Sequence, residues 1–191
     1  MKLADGILLF HGSYKPIETI DLNKCSSGLD LGKGFYLTSS INQAFKYIPS
    51  SVKKNIRRGV LPKDFDLNQA CVSVYKVHLS SELTTYYFES ADLNWLHFVA
   101  SNRNSLLFQD LKKELEHIDI IGGKIANDNT AMVLNAYVNG DYGTPGTSRT
   151  DNFAIESLLP NKLDNQFCFR STRAIEALEF LRSEAYGNRN Q

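Results

Sequence analysis

"GFYLTSSINQA", residues 34–44, changes its hydrophobic period within a few positions. Phe35, Tyr36, Leu37 and Thr38 are aromatic, apolar or β-branched, which predicts a strand over Gly34–Thr38. Ser40 followed three residues later by Gln43 matches a capping box, and Ile41, Ala44, Phe45 and Ile48 recur at helical spacing. A helix is expected to follow the strand and to stop at Pro49. Upstream, the apolar run Ile7–His11 predicts a first strand, ended by His11-Gly12-Ser13 before a loop containing Pro16, Gly28 and Gly32. Downstream, 53–68 reads as loop and Ala70–Leu79 as a strand. Helices are expected at Leu93–Asn102, capped by Asp92, and at Leu106–Glu116. "IDIIGG", residues 118–123, is a short strand ended by paired glycines, and Asn129–Asn139 is a helix. After a glycine-, proline- and small-polar-rich loop at Asn139–Asn152, a helix at Phe153–Leu159, a strand at Gln166–Arg170 and a final helix at Thr172–Leu181 complete the order. Strands and helices without strict alternation predict an α+β fold.

The chain has 191 residues, 42% of them hydrophobic, which suits one core and a single domain over 1–191. Its 21 basic and 21 acidic residues cancel, so no global field points to nucleic acid or to a basic partner. Cys25, Cys71 and Cys168 are odd in number and far apart, which argues against a disulfide framework and fits a reducing cytoplasm. No apolar stretch approaches a membrane span, and Asp5 and His11 interrupt the N-terminal one. His11, His78, His97 and His117 lack metal-ligand spacing, so no metal is expected. Dinucleotide, Walker-type and nucleophile-elbow motifs are absent. The "KKELEH" run containing Glu114 and Glu116 reads as a solvated helix face.

Five pieces in order carry more than any one alone: "HGS" at 11–13, "LDLGKGFYLT" at 29–38 followed by Gln43-Ala44, "WLHFVASNR" at 95–103, "DIIGGKIANDN" at 119–129 and "LDNQFCFRST" at 163–172. With them the sequence resembles the ADP-ribosyltransferase superfamily, and more narrowly a bacterial family of unknown function with that fold. The resemblance implies a split β-sheet core with surrounding helices. It also implies NAD as the substrate from which ADP-ribose is transferred.

By that resemblance His11 hydrogen-bonds the adenine-side ribose, Gly12 clamps the nicotinamide carboxamide through its backbone, and Ser13 adds a hydroxyl. Tyr36 stacks on the nicotinamide ring beside Gly34. The catalytic position falls on Gln166, where efficient relatives carry glutamate. A glutamine carbonyl accepts from the ribose 2′-OH but supplies neither a base nor a full negative charge. A carboxylate for proton removal then comes from elsewhere, with Asp128, Glu156 and Asp164 as candidates by motif position. Arg103 has two readings: a partner of the NAD diphosphate, or a helix anchor to a carboxylate such as Asp128. The basic run Lys53, Lys54, Arg57 and Arg58 reads as a solvated loop or as a phosphate contact for a nucleic-acid acceptor. The 139–152 loop reads as an acceptor-recognition element or as an insertion without such a role.

The expected function is therefore an NAD-dependent mono-ADP-ribosyltransferase in a bacterial cytoplasm, toxin-like, acting on a protein or nucleic-acid acceptor. The resemblance also makes a small antitoxin or immunity protein a partner to look for. The competing readings are an NAD- or ADP-ribose-binding or protein-interaction module without turnover, for which Gln166 is the strongest sign, and an NAD glycohydrolase.

Overall fold

The computed structural model describes residues 2–124, 128–158 and 165–187. In chain order these form β1 (Leu8–Ser13), β2 (Phe35–Thr38), α1 (Ile41–Arg57), β3 (Cys71–Val77), β4 (Thr85–Tyr87), α2 (Leu93–Arg103), α3 (Gln109–Glu114), β5 (Ile120–Lys124), α4 (Asp128–Asn139), α5 (Ser148–Leu158), β6 (Asn165–Phe169), α6 (Thr172–Glu176) and β7 (Leu178–Ala185). The fold is a mixed one of α+β type. A seven-stranded sheet runs β4-β5-β6-β2-β1-β3-β7, antiparallel except for the β4–β5 pair. One face, with Tyr36, Ile121 and Cys168, packs on α2, α4 and α5 around Trp95, Leu96 and Val99. The other buries Leu9, Phe35, Leu37, Phe167 and Phe169. Helix α1 lays Ala44, Phe45, Ile48 and Val52 over Val72 and Phe10.

Three expectations change. Helix α1 is capped as the motif predicts, Ser40 accepting from the Gln43 N–H at 3.2 Å, but it runs through Pro49 to Arg57. Pro49 lies on the exposed face, while the buried positions continue through Ser51 and Val52, so packing of the apolar stripe carries the helix past a residue that cannot donate. Lys53, Lys54 and Arg57 thus belong to a helix C-terminus, where cations oppose the dipole, and not to a loop. The final helix stops at Glu176, and Leu178–Ala185 pairs along the whole of β3. Leucine, glutamate and arginine favour helix locally, but pairing with β3 overrides that preference. Helix α5 begins at Ser148, inside the expected 139–152 loop, because buried Asp151 gathers the Tyr137 hydroxyl at 2.6 Å, the Gly146 N–H at 3.0 Å and His97 Nε2 at 2.9 Å. The three-residue β4 carries no periodic signal and was not expected.

Candidate functional site

The sheet is loosest between β1 and β2. Strands β1 and β3 are in register from Leu8–Lys76 to Ser13–Cys71, whereas among the described residues β1 and β2 share only Phe10–Thr38. The Val77 N–H donates to the Ile7 carbonyl at 3.0 Å; the Ile7 N–H turns back to Ala4, but the single bond fixes which residues of β1 address β3. Antiparallel ladders alternate, so Leu9, His11 and Ser13 turn their peptide groups toward β3, and Phe10 and Gly12 turn theirs toward β2. The Gly12 N–H and C=O therefore face the seam just where the strands part. His11 spans that seam, with Nδ1 2.8 Å from the Tyr36 carbonyl oxygen. A carbonyl only accepts, so Nδ1 carries the proton and Nε2 is the free ring acceptor. Burial lowers the His11 pKa, against the raising effect of that bond, and the imidazole is neutral at pH 7. Its ring lies 4.5 Å from Phe35, centroid to centroid, on the sheet face opposite Tyr36 and Gln166.

Helix α1 closes over Gly12. A Cβ there would lie 2.1 Å from the Ala44 carbonyl oxygen and 3.1 Å from Ile48 Cγ1, so glycine is fixed by close backbone approach. Tyr47, which sequence reasoning did not single out, flanks this Ala44–Ile48 stripe and exposes 46% of its surface. Ser13 is buried and bonds to Lys15, its hydroxyl donating to the Lys15 carbonyl. Gly34 is also dictated by packing, since a Cβ would lie 2.5 Å from Cys168 Sγ and 2.6 Å from the Phe169 carbonyl oxygen.

Tyr36 and Gln166 share the α2-facing side of the sheet, Tyr36 opposite Cys168 and Gln166 opposite Thr38. The Tyr36 hydroxyl donates to the Gly32 carbonyl at 2.7 Å and accepts from the Leu31 N–H at 2.9 Å. Burial raises the pKa of this hydroxyl well above its ordinary value. Gln166 Nε2 donates to the Lys124 carbonyl at 3.1 Å, and the side chain lies near enough to Asp30 to pull its carboxyl pKa down. The amide nitrogen is thereby tied to β5, and Oε1 is the acceptor the side chain offers.

Asp30, within the "LDLGKG" motif, is the carboxylate that sequence reasoning missed. Burial raises its pKa on balance, against the lowering influence of Arg103 and of nearby Gln166. Arg103 Nε and Nη2 meet Asp30 Oδ1 at 2.8 and 2.6 Å, and Nη1 reaches Asn135 Oδ1 at 2.7 Å. Arg103 is thus tied to a carboxylate, as in the anchoring one of its two expected roles, and that carboxylate is Asp30. The Asp128 side chain and Asp164 lie outside the described residues. Glu156 is exposed on α5 beside Tyr142, Arg149 and Phe153.

Two surface cavities, of about 400 and 490 Å³, lie elsewhere, and neither is lined by His11, Gly12, Ser13, Tyr36 or Gln166. Among the described residues no cluster of three metal-ligating side chains forms, and no helix is long and apolar enough to cross a membrane. With this geometry in place, comparison with known families matches residues 7–180 to the family described as "Protein of unknown function (DUF3990)", and the chain belongs to that family. Comparison with the curated proteins finds no match. Comparison with the solved structures finds none either.

Proposed function

We propose, for a member of a family whose description names no activity, that this chain is an NAD-dependent mono-ADP-ribosyltransferase with a split-sheet core of that class. The observation that carries the reading is the Gly12 peptide facing the β1–β2 seam, with His11 bonded across it to Tyr36. An N–H and a C=O side by side match the two polar groups of a nicotinamide carboxamide. The Nε2 lone pair of His11 suits a ribose hydroxyl, and Tyr36 or the more exposed Tyr47 supplies a ring face for the cationic base. In the reaction the bond between nicotinamide nitrogen and ribose C1′ breaks, and nicotinamide leaves neutral with the electron pair. The oxocarbenium-like sugar is captured by an acceptor nucleophile that gives up its proton. Gln166 Oε1 accepts from the 2′-OH and places its carbonyl dipole toward the developing positive charge. The Lys124 carbonyl holds the amide in that orientation, and Arg103 holds the nearby Asp30. We place the activity in a bacterial cytoplasm as a toxin-like enzyme, with a protein or nucleic-acid acceptor and a small antitoxin or immunity protein as cognate partner.

Gln166 supports the second reading, an NAD- or ADP-ribose-binding module without turnover. Incubation with labelled NAD in the presence of RNA, DNA or bacterial lysate, following free nicotinamide and label transfer together, separates the alternatives. Transfer to one macromolecular class is the expected result. Nicotinamide release without transfer in all three mixtures would favour glycohydrolysis. Calorimetric NAD binding without either would favour the binding module, and no NAD binding would remove the site assignment.

A further inference from the structure

The register that sets Gln166 at one end of β6 sets Arg170 just beyond the other, next to the loop that leads into β2. Here the Gly28–Lys33 loop, the start of β5 and helix α3 surround the cavity of about 400 Å³. Its charged walls are Lys33, Lys112, Arg170, Glu116 and Asp119, with His117 beside them. The charge of Asp119 is already engaged by Arg173 at 3.1 Å, the Ser171 hydroxyl at 2.5 Å and Thr84 at 3.0 Å. Glu116 alone then faces three cations, none of which has an ion-pair partner among the described residues.

Arg170 is the fixed element. Its Nη1 donates to the Leu115 carbonyl at 2.7 Å, which sets the plane of a half-buried guanidinium without neutralising it. Two neutral carbonyls, those of Leu115 and Ile118, take its hydrogen bonds, so its charge is not cancelled by them. Among the described residues no phenylalanine, tyrosine or tryptophan lines the cavity, so recognition there rests on charge and not on stacking against a base. We infer that this cavity binds a phosphate-bearing small molecule, with Arg170 as the planar donor and Lys33 and Lys112 as flanking point charges. The site is distinct from the seam, although the Gly32 carbonyl that accepts from Tyr36 belongs to a residue of its wall.

Calorimetric titration with inorganic pyrophosphate at about 50 mM salt tests the site. Wild type should bind one equivalent saturably. Lys33→Glu combined with Lys112→Glu, both at exposed positions, should weaken binding by about tenfold or more. Arg170→Lys should also weaken it, by removing the planar fork, while His11→Ala should leave affinity unchanged. Absence of saturable binding to wild type, or equal affinity in the charge-reversed variant, would overturn the assignment. So would binding abolished by His11→Ala, which would place pyrophosphate in the seam. Because pyrophosphate lacks nicotinamide and ribose, failure here leaves the NAD assignment standing, and the reverse also holds.

Discussion

The imidazole Nδ1 of His11 stands 2.8 Å from the Tyr36 carbonyl oxygen, so a side chain crosses between two strands that share one register pair among the described residues. This arrangement predicts acid sensitivity with a definite sign. Burial holds the folded-state pKa of His11 below its ordinary value, so below pH about 6.5 the unfolded chain binds the extra proton more readily. The contribution to stability is complete above the ordinary histidine value and falls as pH drops below it. Urea unfolding at pH 7.5 and 5.5 should show a smaller acid-side loss in His11→Gln than in wild type. An equal loss in the two proteins would mean that His11 titrates alike in the folded and unfolded states.

Under the proposed function, Gln166→Glu would supply a full carboxylate at the ribose, but the nearness of Asp30 predicts a complication. Two carboxylates sharing one site cannot both ionise freely, and the pair would retain a proton to higher pH. The variant should have its pH–rate profile displaced toward alkaline pH and lose about 1–3 kcal/mol of stability. Adding Asp30→Asn should bring the profile back toward neutrality but lose further stability, because it leaves the Arg103 guanidinium without its carboxylate. Purely additive effects in the double-mutant cycle would show that the two side chains do not interact.

The signals that were legible are local ones. Ser40 with Gln43 and Asp92 with Trp95 place two helix starts within a few residues, because capping is written in adjacent positions. The strands carrying His11, Tyr36 and Gln166 were also visible as short apolar or aromatic runs. What escaped depends on contacts between distant segments: β7 exists because β3 offers an edge, and Asp30 matters because Arg103 reaches it from α2. Gly12 and Gly34 are ambiguous in sequence for a related reason. Their lack of a side chain suits ligand approach, yet the structure shows each pressed against neighbouring backbone.

That pressure makes Gly12→Ala a folding variant first. The added methyl would meet the Ala44 carbonyl oxygen and carbon at 2.1 and 2.9 Å, both backbone atoms that cannot rotate away. Displacing α1 should cost about 3 kcal/mol or more, the upper end of overpacking effects, and should be read from the denaturant midpoint. A stability within about 0.5 kcal/mol of wild type, the range of ordinary surface substitutions, would contradict the close approach of α1 to β1. NAD binding by this variant is interpretable only after that measurement.

Pro49 offers the opposite sign. It lies mid-helix on the exposed side of α1, with Ile48 and Val52 buried around it, so the Phe45 carbonyl has no N–H four residues on to receive. Alanine is favoured over proline in a helix interior by about 3 kcal/mol, and proline returns about 1 kcal/mol by restricting the unfolded chain. Pro49→Ala should therefore stabilise the protein by about 2 kcal/mol in urea unfolding. If the helix instead ended at Pro49, as its sequence alone suggests, the substitution would bring no such gain. Its effect on stability consequently distinguishes a continuous α1 from one broken at Pro49, and the continuous helix is what brings Lys53, Lys54 and Arg57 into its last turns.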